Sequence, residues 1–409
     1  MKNFFKKYGI ISAISGLLIL FAFIGNSVSA STPAQLYDQV WKLINSKYVD
    51  QYNNDQNWNR WKNKYDNCIQ TDEDAYVAID TMLASLNDPY TKFLNPKEFA
   101  EETSSIKGSL KGIGVQIGVR EGKLLIIAPI EDTPGEKAGL LAEDEILEIN
   151  GESTKGITVD KAADKIRGEE GTIVELLIKR KNQPNKLYKV ARAEIEIKSV
   201  STKIPENIKL NDQIGYIRLS SFISRNASEE FAKAINGYSC KKGYIIDLRS
   251  NPGGLLSNAI LLSDMFLNGG IIVSTVDRDG YKDTTRATRK NVTNKPIVIL
   301  INKGSASASE IFSGAMKDNQ RAVLVGENSF GKGLVQEINK LQGGSGVNIT
   351  IQKYLTPNGT DINKKGIAPD IKAELSDEDI KTKHDSQLLK AQDVLLQLIA
   401  TGNNCKAAR

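Results

Sequence analysis

The sequence predicts a multidomain α/β chain: a helical N-terminal region, a β-rich middle segment and a core built on a mainly parallel sheet. Three observations carry this prediction. The 409 residues exceed the length of one ordinary domain. Apolar residues recur at helical spacing up to about residue 100, then give way to short runs punctuated by glycine. From about residue 212, strand, loop and helix patterns alternate, which implies parallel strands joined by crossover helices.

Residues 1–30 read as an export leader. Lys2, Lys6 and Lys7 precede an apolar run from Ile10 to Ile24, and SVSA ends at Ala30. The run falls short of the ~18–20 residues of a spanning helix. Cleavage after Ala30 is expected; the alternative is an uncleaved anchor that keeps the chain at the membrane. Both place the remainder outside the cytoplasmic membrane, whether secreted, periplasmic or membrane-anchored.

Residues 31–100 read as helical. AQLYDQVWKLINSKYV sets Leu36, Val40, Leu43, Ile44 and Tyr48 near one face, and AYVAIDTMLASL repeats the pattern. NDPYTKFLNP interrupts it with Pro89 and Pro96. Trp41, Trp58 and Trp61 read as packing residues.

Residues 101–191 alternate short strands with glycine turns, with a helix at TVDKAADKIRG. Gly112 and Gly114 stand just before a β-rich run. Free N–H groups there can grip a peptide carboxylate while the peptide adds as a strand; an ordinary hairpin turn is the other reading of the glycines alone.

In residues 192–374, IGYIRLSSF is a strand and SEEFAKAINGY a helix with Ser228 as its cap. GYIIDLR and PIVILIN are buried strands ending in SNPGG and KGSASASE. Ligands of such sheets sit at the carboxyl ends of strands. Residues 375–409 are acidic, then helical, and carry no evident chemistry.

Composition excludes several functions. A net charge of +5 with interspersed signs is too mild for a nucleic-acid binder. Cys68, Cys240 and Cys405 lack metal-ligand spacing, and Cys240 reads as a small core residue. His384 is the single histidine and lies in a polar stretch, KTKHDSQ, so it reads as a surface residue. A Ser-His-Asp enzyme needs a histidine beside its nucleophile. Hydrolytic chemistry here needs another base.

In KGSASASE, a helix beginning near residue 307 makes Ser307 its N-cap, and Glu310 completes a capping box. Capping alone accounts for Ser307. A reactive serine is the sharper reading, because helix N–H groups would stabilise an oxyanion there. Ala306 and Ala308 leave room for a substrate backbone, and Gly253 or Gly254 of SNPGG exposes a second N–H. Lys332, between two glycines in FGKGLVQEI, is the candidate base. Burial disfavours its ammonium form, and a neutral amine can take a serine proton. Gln336 falls on the same face of an extended segment and could hold the amine in line. A surface lysine in a glycine turn is the plain alternative. GENSFGKG imitates a phosphate-binding loop but lacks the final Ser/Thr and runs into a strand, so a nucleotide site is not expected.

These residues resemble the carboxyl-terminal processing (tail-specific) proteases, PDZ-containing serine peptidases with a Ser/Lys pair. The likeness rests on INKGSASASEIFSGAMKD, DLRSNPGGLL, FGKGLVQ, YLTPNGTDINKKGIAPDI, LNDPYTKFLNPKEF and GIGVQIG…EKAGLLAEDEILEINGE. It implies a ClpP/crotonase-like protease core with an inserted PDZ domain and an N-terminal helical region able to dimerise. It implies Ser307 as nucleophile, Lys332 as general base, Gln336 as its support, and the N–H groups of Gly253 and Ala308 as oxyanion hole. Gly112, Ile113, Gly114 and Val115 would form the carboxylate loop, and Arg167 would couple the PDZ domain to the core. The expected partners are protein or peptide substrates with apolar C-termini, without metal or other cofactor. The competing function is a PDZ protein on the same fold that binds tails without cutting.

Overall fold

The computed structural model describes residues 32–402, except positions 108, 121, 131, 132, 197, 206, 289 and 383. The expected leader and Cys405 lie outside the described residues. None of the described helices is long and apolar enough to cross a membrane.

The chain opens with two helices that each start at a capping box. Thr32 and Gln35 begin α1 (Pro33–Lys47); Thr71 and Asp74 begin α2 (Asp72–Ala84). Val40, Ile44, Ile79 and Met82 meet between them, and Trp41, Trp58 and Trp61 are buried in the same cluster. The loop 87–91 then leads to β1 (Lys92–Leu94) and α3 (Pro96–Lys107).

The middle domain comprises β2 (Ser109–Gly112), β3 (Val115–Arg120), β4 (Lys123–Pro129), α4 (Pro134–Lys137), β5 (Glu145–Ile149), β6 (Glu152–Ser153), α5 (Val159–Ile166), β7 (Ile173–Lys179), β8 (Lys186–Ala191) and β9 (Ala193–Glu196). An antiparallel sheet runs in the order β3-β4-β5-β7-β8, with β6 on β5. β2 and β9 pair as a two-stranded stem through which the chain enters and leaves. Such a stem lets the domain be inserted without breaking the fold on either side.

The core comprises β10 (Val200–Ser201), β11 (Ile214–Leu219), α6 (Ala227–Gly237), β12 (Gly243–Asp247), α7 (Leu256–Phe266), β13 (Ile271–Asp277), β14 (Lys282–Arg286), β15 (Ile297–Ile301), α8 (Ala308–Asp318), β16 (Val323–Gly326), β17 (Leu334–Lys340), β18 (Gly346–Leu355), β19 (Ile371–Lys372), α9 (Asp377–Thr382) and α10 (Ser386–Thr401). The main sheet has the order β10-β11-β12-β15-β16-β19, parallel from β11 to β19. Every residue of β12 and β15 is buried. Covered on both faces, these strands read as unbroken apolar runs in the sequence. Phe231, Phe266 and Phe312 of α6, α7 and α8 fill one face; Leu388, Leu395 and Leu398 of α10 fill the other. Truncating a buried phenylalanine such as Phe312 to alanine typically costs about 3–5 kcal/mol.

A second sheet, β1-β18-β13-β14 with β17 beside β18, joins the core to the N-terminal helices. Val347 and Ile349 of β18 belong to the same cluster as Val40 and Ile79.

Two local expectations change. Helix α6 is capped by Asn226, not Ser228, because Ser224 draws the chain into a turn earlier: its hydroxyl takes the Asn226 N–H and its carbonyl the Ala227 N–H. Cys240 is exposed rather than in the core, since β12 begins only at Gly243.

Candidate active site

Strands β12, β15 and β16 are neighbours and end side by side, with Asp247 opposite Leu300 and Ile301 opposite Gly326. The three loops that follow them leave the sheet together. They carry Gly253, Ser307 and Lys332 in turn. Gly326 permits this closeness: a Cβ there would stand 2.1 Å from the Ile301 carbonyl oxygen.

The three serines of KGSASASE separate by role. Ser305 donates its hydroxyl to the Leu248 carbonyl (2.8 Å) and Ser309 donates to the Asn251 carbonyl (3.0 Å); both are fully buried. They fasten this turn to the loop after β12. No carbonyl of that loop takes the hydroxyl of Ser307, which is only half-buried at the cap position of α8. Ser307 has φ 55° and ψ −115°. A non-glycine residue held there stores about 1–3 kcal/mol of strain, which the Ser305 and Ser309 fastenings and the helix start maintain.

Glu310 organises the centre. Its fully buried carboxylate accepts the Ser307 N–H (2.8 Å) and the Lys332 N–H (2.9 Å) on one oxygen. The other oxygen accepts the Gly331 N–H (2.7 Å) and the Ser329 hydroxyl (2.5 Å). The backbones of both predicted reactive residues are therefore tied to a single oxygen atom. Tyr354 adds a hydroxyl donated to the Ser307 carbonyl (3.3 Å).

The side chain of Lys332 is half-buried, and its Nζ lies 4.5 Å from the centre of the Tyr90 ring. Burial lowers its pKa from the ordinary lysine value; Asp88, Glu102 and Glu310 pull the other way, and Lys92 adds to the lowering. Among the hydrogen bonds of the described residues, none joins Lys332 to Ser307 or to Gln336. The Gln336 amide donates to the Thr350 hydroxyl (3.3 Å) instead. The β17–β18 ladder slips at this point, with Val335 opposite Gln352 and Gln336 opposite Thr350. That slip brings Thr350 within reach of the amide. Thr350 in turn donates its N–H to the Thr91 hydroxyl (3.0 Å), which donates to Asp88 (2.7 Å).

Gly253 (φ +95°) lies against the start of α8: a Cβ there would come within 2.9 Å of the Ser307 Cβ and 2.8 Å of the Ala308 nitrogen. Its N–H donates to the Asn251 side chain (2.9 Å), so in this state it is engaged. The Ala308 N–H, at the first position of α8, has no partner among the described residues.

The loop bearing Gly253 is bolted by ions. Arg249 reaches Asp247 (2.7 Å) and Asp385 (2.7 Å), and Tyr216 donates to Asp247 (2.9 Å). Burial would push the Asp247 carboxyl up, but the Arg249 hydrogen bonds and charge, with Arg218, hold it below the usual carboxylate range. For Arg249, burial opposes the charge and both carboxylates override it.

In the middle domain, a groove of about 470 Å³ runs between β3 and α5. Gly112, Ile113, Gly114 and Val115 line it beside Ile127, Ile166 and Arg167. The carbonyls of Ile113 and Gly114 are taken by the Gly135 and Ile130 N–H groups (2.7 and 2.8 Å). The N–H groups of Ile113 and Gly114 have no partner among the described residues. Arg167 pairs with Glu101 of α3 (3.4 Å), and Lys97 of α3 pairs with Asp164 of α5. α3 thus touches α5 at one end, while its Glu102 accepts from Asn348 of β18 (2.9 Å).

Sequence reasoning missed three features. Asp88 and Tyr90 lie in a segment that the sequence marks by its prolines and by its family likeness, with no role for either side chain, although two side chains with such chemistry in a short turn are a visible signal. Glu310 was assigned a cap and nothing more. Asp385, in a tail judged inert, completes the Arg249 cluster.

Residues 213–373 match the model of peptidase family S41, and residues 125–180 that of a PDZ domain. The chain is 38% identical over 396 residues to the carboxyl-terminal-processing protease of Synechocystis sp. (strain ATCC 27184 / PCC 6803 / Kazusa), covering 94% of this chain and 92% of that one. It is 35% identical over 385 residues to the carboxy-terminal processing protease CtpA of Bacillus subtilis (strain 168), covering 92% and 79%. Among solved structures, the photosystem II D1 C-terminal processing protease superposes with a TM-score of 0.58 at 30% identity, covering 89% of this chain and 97% of the other.

Proposed function

Because this chain belongs to the carboxyl-terminal processing proteases of peptidase family S41, we propose that it is an exported endopeptidase working through a Ser307–Lys332 dyad. One observation carries the reading: Glu310 ties the backbones of both residues to one carboxylate, and burial biases the Lys332 amine toward its neutral form. A substrate C-terminus adds to β3 in the PDZ groove, with its carboxylate on the free N–H groups of Ile113 and Gly114. The apolar lining of the groove favours an apolar tail.

At the core, the neutral Lys332 amine takes the Ser307 proton as Ser307 Oγ attacks the scissile carbonyl carbon. The Ala308 N–H, at the positive end of α8, receives the oxyanion. The Gly253 N–H joins it once the oxyanion displaces Asn251. Lys332 returns the proton to the leaving amine, and water, deprotonated by the same lysine, releases the acyl group. For the first step the amine must come within hydrogen-bond reach of the Ser307 hydroxyl. Gln336 acts at one remove, through Thr350 and Thr91, on the turn that carries Asp88. Arg167, paired with α3, couples groove and core. The leader delivers the protein beyond the cytoplasmic membrane, and the helical region offers a surface for dimerisation.

The test is cleavage of an unstructured protein with an apolar C-terminus. Wild type and His384→Ala cut it; Ser307→Ala and Lys332→Ala do not. If wild type leaves the substrate whole while binding its tail, the chain is a tail-binding protein and the dyad is wrong.

A further inference from the structure

The surroundings of the Lys332 amine include a group that the dyad does not explain. Its Nζ stands 4.5 Å from the centre of the Tyr90 ring, inside the ~6 Å range over which an aromatic face attracts a cation. Tyr90 belongs to the N-terminal region, far from Lys332 in sequence, and reaches the site through the loop between α2 and β1. That loop is fixed. Asp88 accepts the Tyr90 N–H (3.0 Å) and the Thr91 hydroxyl (2.7 Å), and Thr91 accepts the Thr350 N–H (3.0 Å). Tyr90 also lies within electrostatic reach of Glu310 and Tyr354, the groups around the Ser307 backbone.

We propose that Tyr90 is a positioning residue of the reaction: its ring face is the seat from which the Lys332 amine serves Ser307. The Lys332 backbone is held by Glu310, but among the described residues no hydrogen bond or ion pair holds its long side chain, so the fixed ring is what limits where the amine rests. The seat also has an electrostatic consequence. The negative face of the ring favours the ammonium form, as do Asp88, Glu102 and Glu310, whereas burial and Lys92 favour the neutral amine. The ring therefore sets part of the balance that decides how much free base is present.

The experiment changes the ring's charge and leaves its shape nearly alone. Position 90 is replaced in the full chain by phenylalanine and by its mono-, di- and trifluoro derivatives, each checked for an unaltered thermal melt. Lys332 is titrated by NMR of ¹³C-methylated lysines in a Ser307→Ala background, with Lys332→Arg assigning the signal. In parallel, the acid limb of kcat/KM is recorded for the same ring series with Ser307 intact. Tyr90→Phe should titrate like wild type. Stepwise fluorination should lower the Lys332 pKa, by about 0.4–1.5 in all if the ring contributes as aromatic–cation contacts do, and the acid limb should move with it. A Lys332 titration unchanged across the series overturns the proposal. The proposal rests on Lys332 being the base, and the two measurements separate the failures. If the titration falls while the acid limb stays in place, the ring contact is real, but Lys332 is not the base and Tyr90 has no part in the reaction.

Discussion

Replacing Glu310 by glutamine keeps the shape of the side chain and removes one acceptor oxygen and the charge. Its four nearest donors, at 2.5, 2.7, 2.8 and 2.9 Å, then face an amide, with the Tyr354 hydroxyl farther off at 3.5 Å. The better orientation turns the new NH₂ toward Ser329 and Gly331. Ser329 can rotate to accept it; the Gly331 N–H is left facing a donor. An orphaned buried N–H costs about 1–3 kcal/mol, and the remaining bonds lose their charge assistance, worth roughly 1 kcal/mol or more each. The total is about 3–5 kcal/mol. If about 3 kcal/mol of this appears as displacement of Ser307 relative to Lys332, the rate falls roughly a hundredfold. The assay is kcat/KM on a tailed peptide, beside thermal unfolding and the affinity of the tail for the PDZ groove. The expected result is a large loss of rate, a lower melting temperature and unchanged tail affinity. A Glu310→Gln enzyme within threefold of wild type at an unchanged melting temperature would refute the claim that one carboxylate holds the two backbones in place.

Two further outcomes follow from the charges. Lys332 is lowered in the fold, so burying its ammonium opposes folding at neutral pH, and that opposition disappears as pH rises through the unfolded value of ~10.4. Lys332→Met should therefore stabilise the inactive protein in urea titrations at pH 7, with the gain shrinking toward pH 10; a gain constant with pH contradicts the assignment. Arg249→Met takes the arginine from Asp385 and leaves Asp247 with only the longer Arg218 contact (3.4 Å), which should cost up to about 3–5 kcal/mol and speed hydrogen exchange in α10. Unchanged exchange there would mean the cluster does not anchor the tail.

The parts of the molecule legible in its sequence are those governed by local pattern. GYIID and IVILI are buried along their whole length between two helical layers, so their apolar runs announced a parallel core. The cap position of Ser307 followed from the spacing of Ser307 and Glu310. What escaped depends on pairings between distant segments. Tyr90 meets Lys332 because β1 pairs with β18 and carries the 87–91 loop into the core. Gln336 finds Thr350 through a slip in the β17–β18 ladder that no sequence pattern marks. Arg249 finds Asp385 only after α10 folds back over the sheet. Gly253 was chosen for its bare N–H, but Asn251, two residues earlier, turns its side chain back to occupy it.

The central claim is that a neutral Lys332 activates Ser307. Its most direct measurement is the rate at which a fluorophosphonate labels the protein across a pH series, with the modified residue located by peptide mass spectrometry. The account predicts labelling at Ser307 alone, rising through a single ionisation below the ordinary lysine value and abolished in Lys332→Ala. Labelling that persists undiminished in Lys332→Ala, or that falls on another serine, would contradict it.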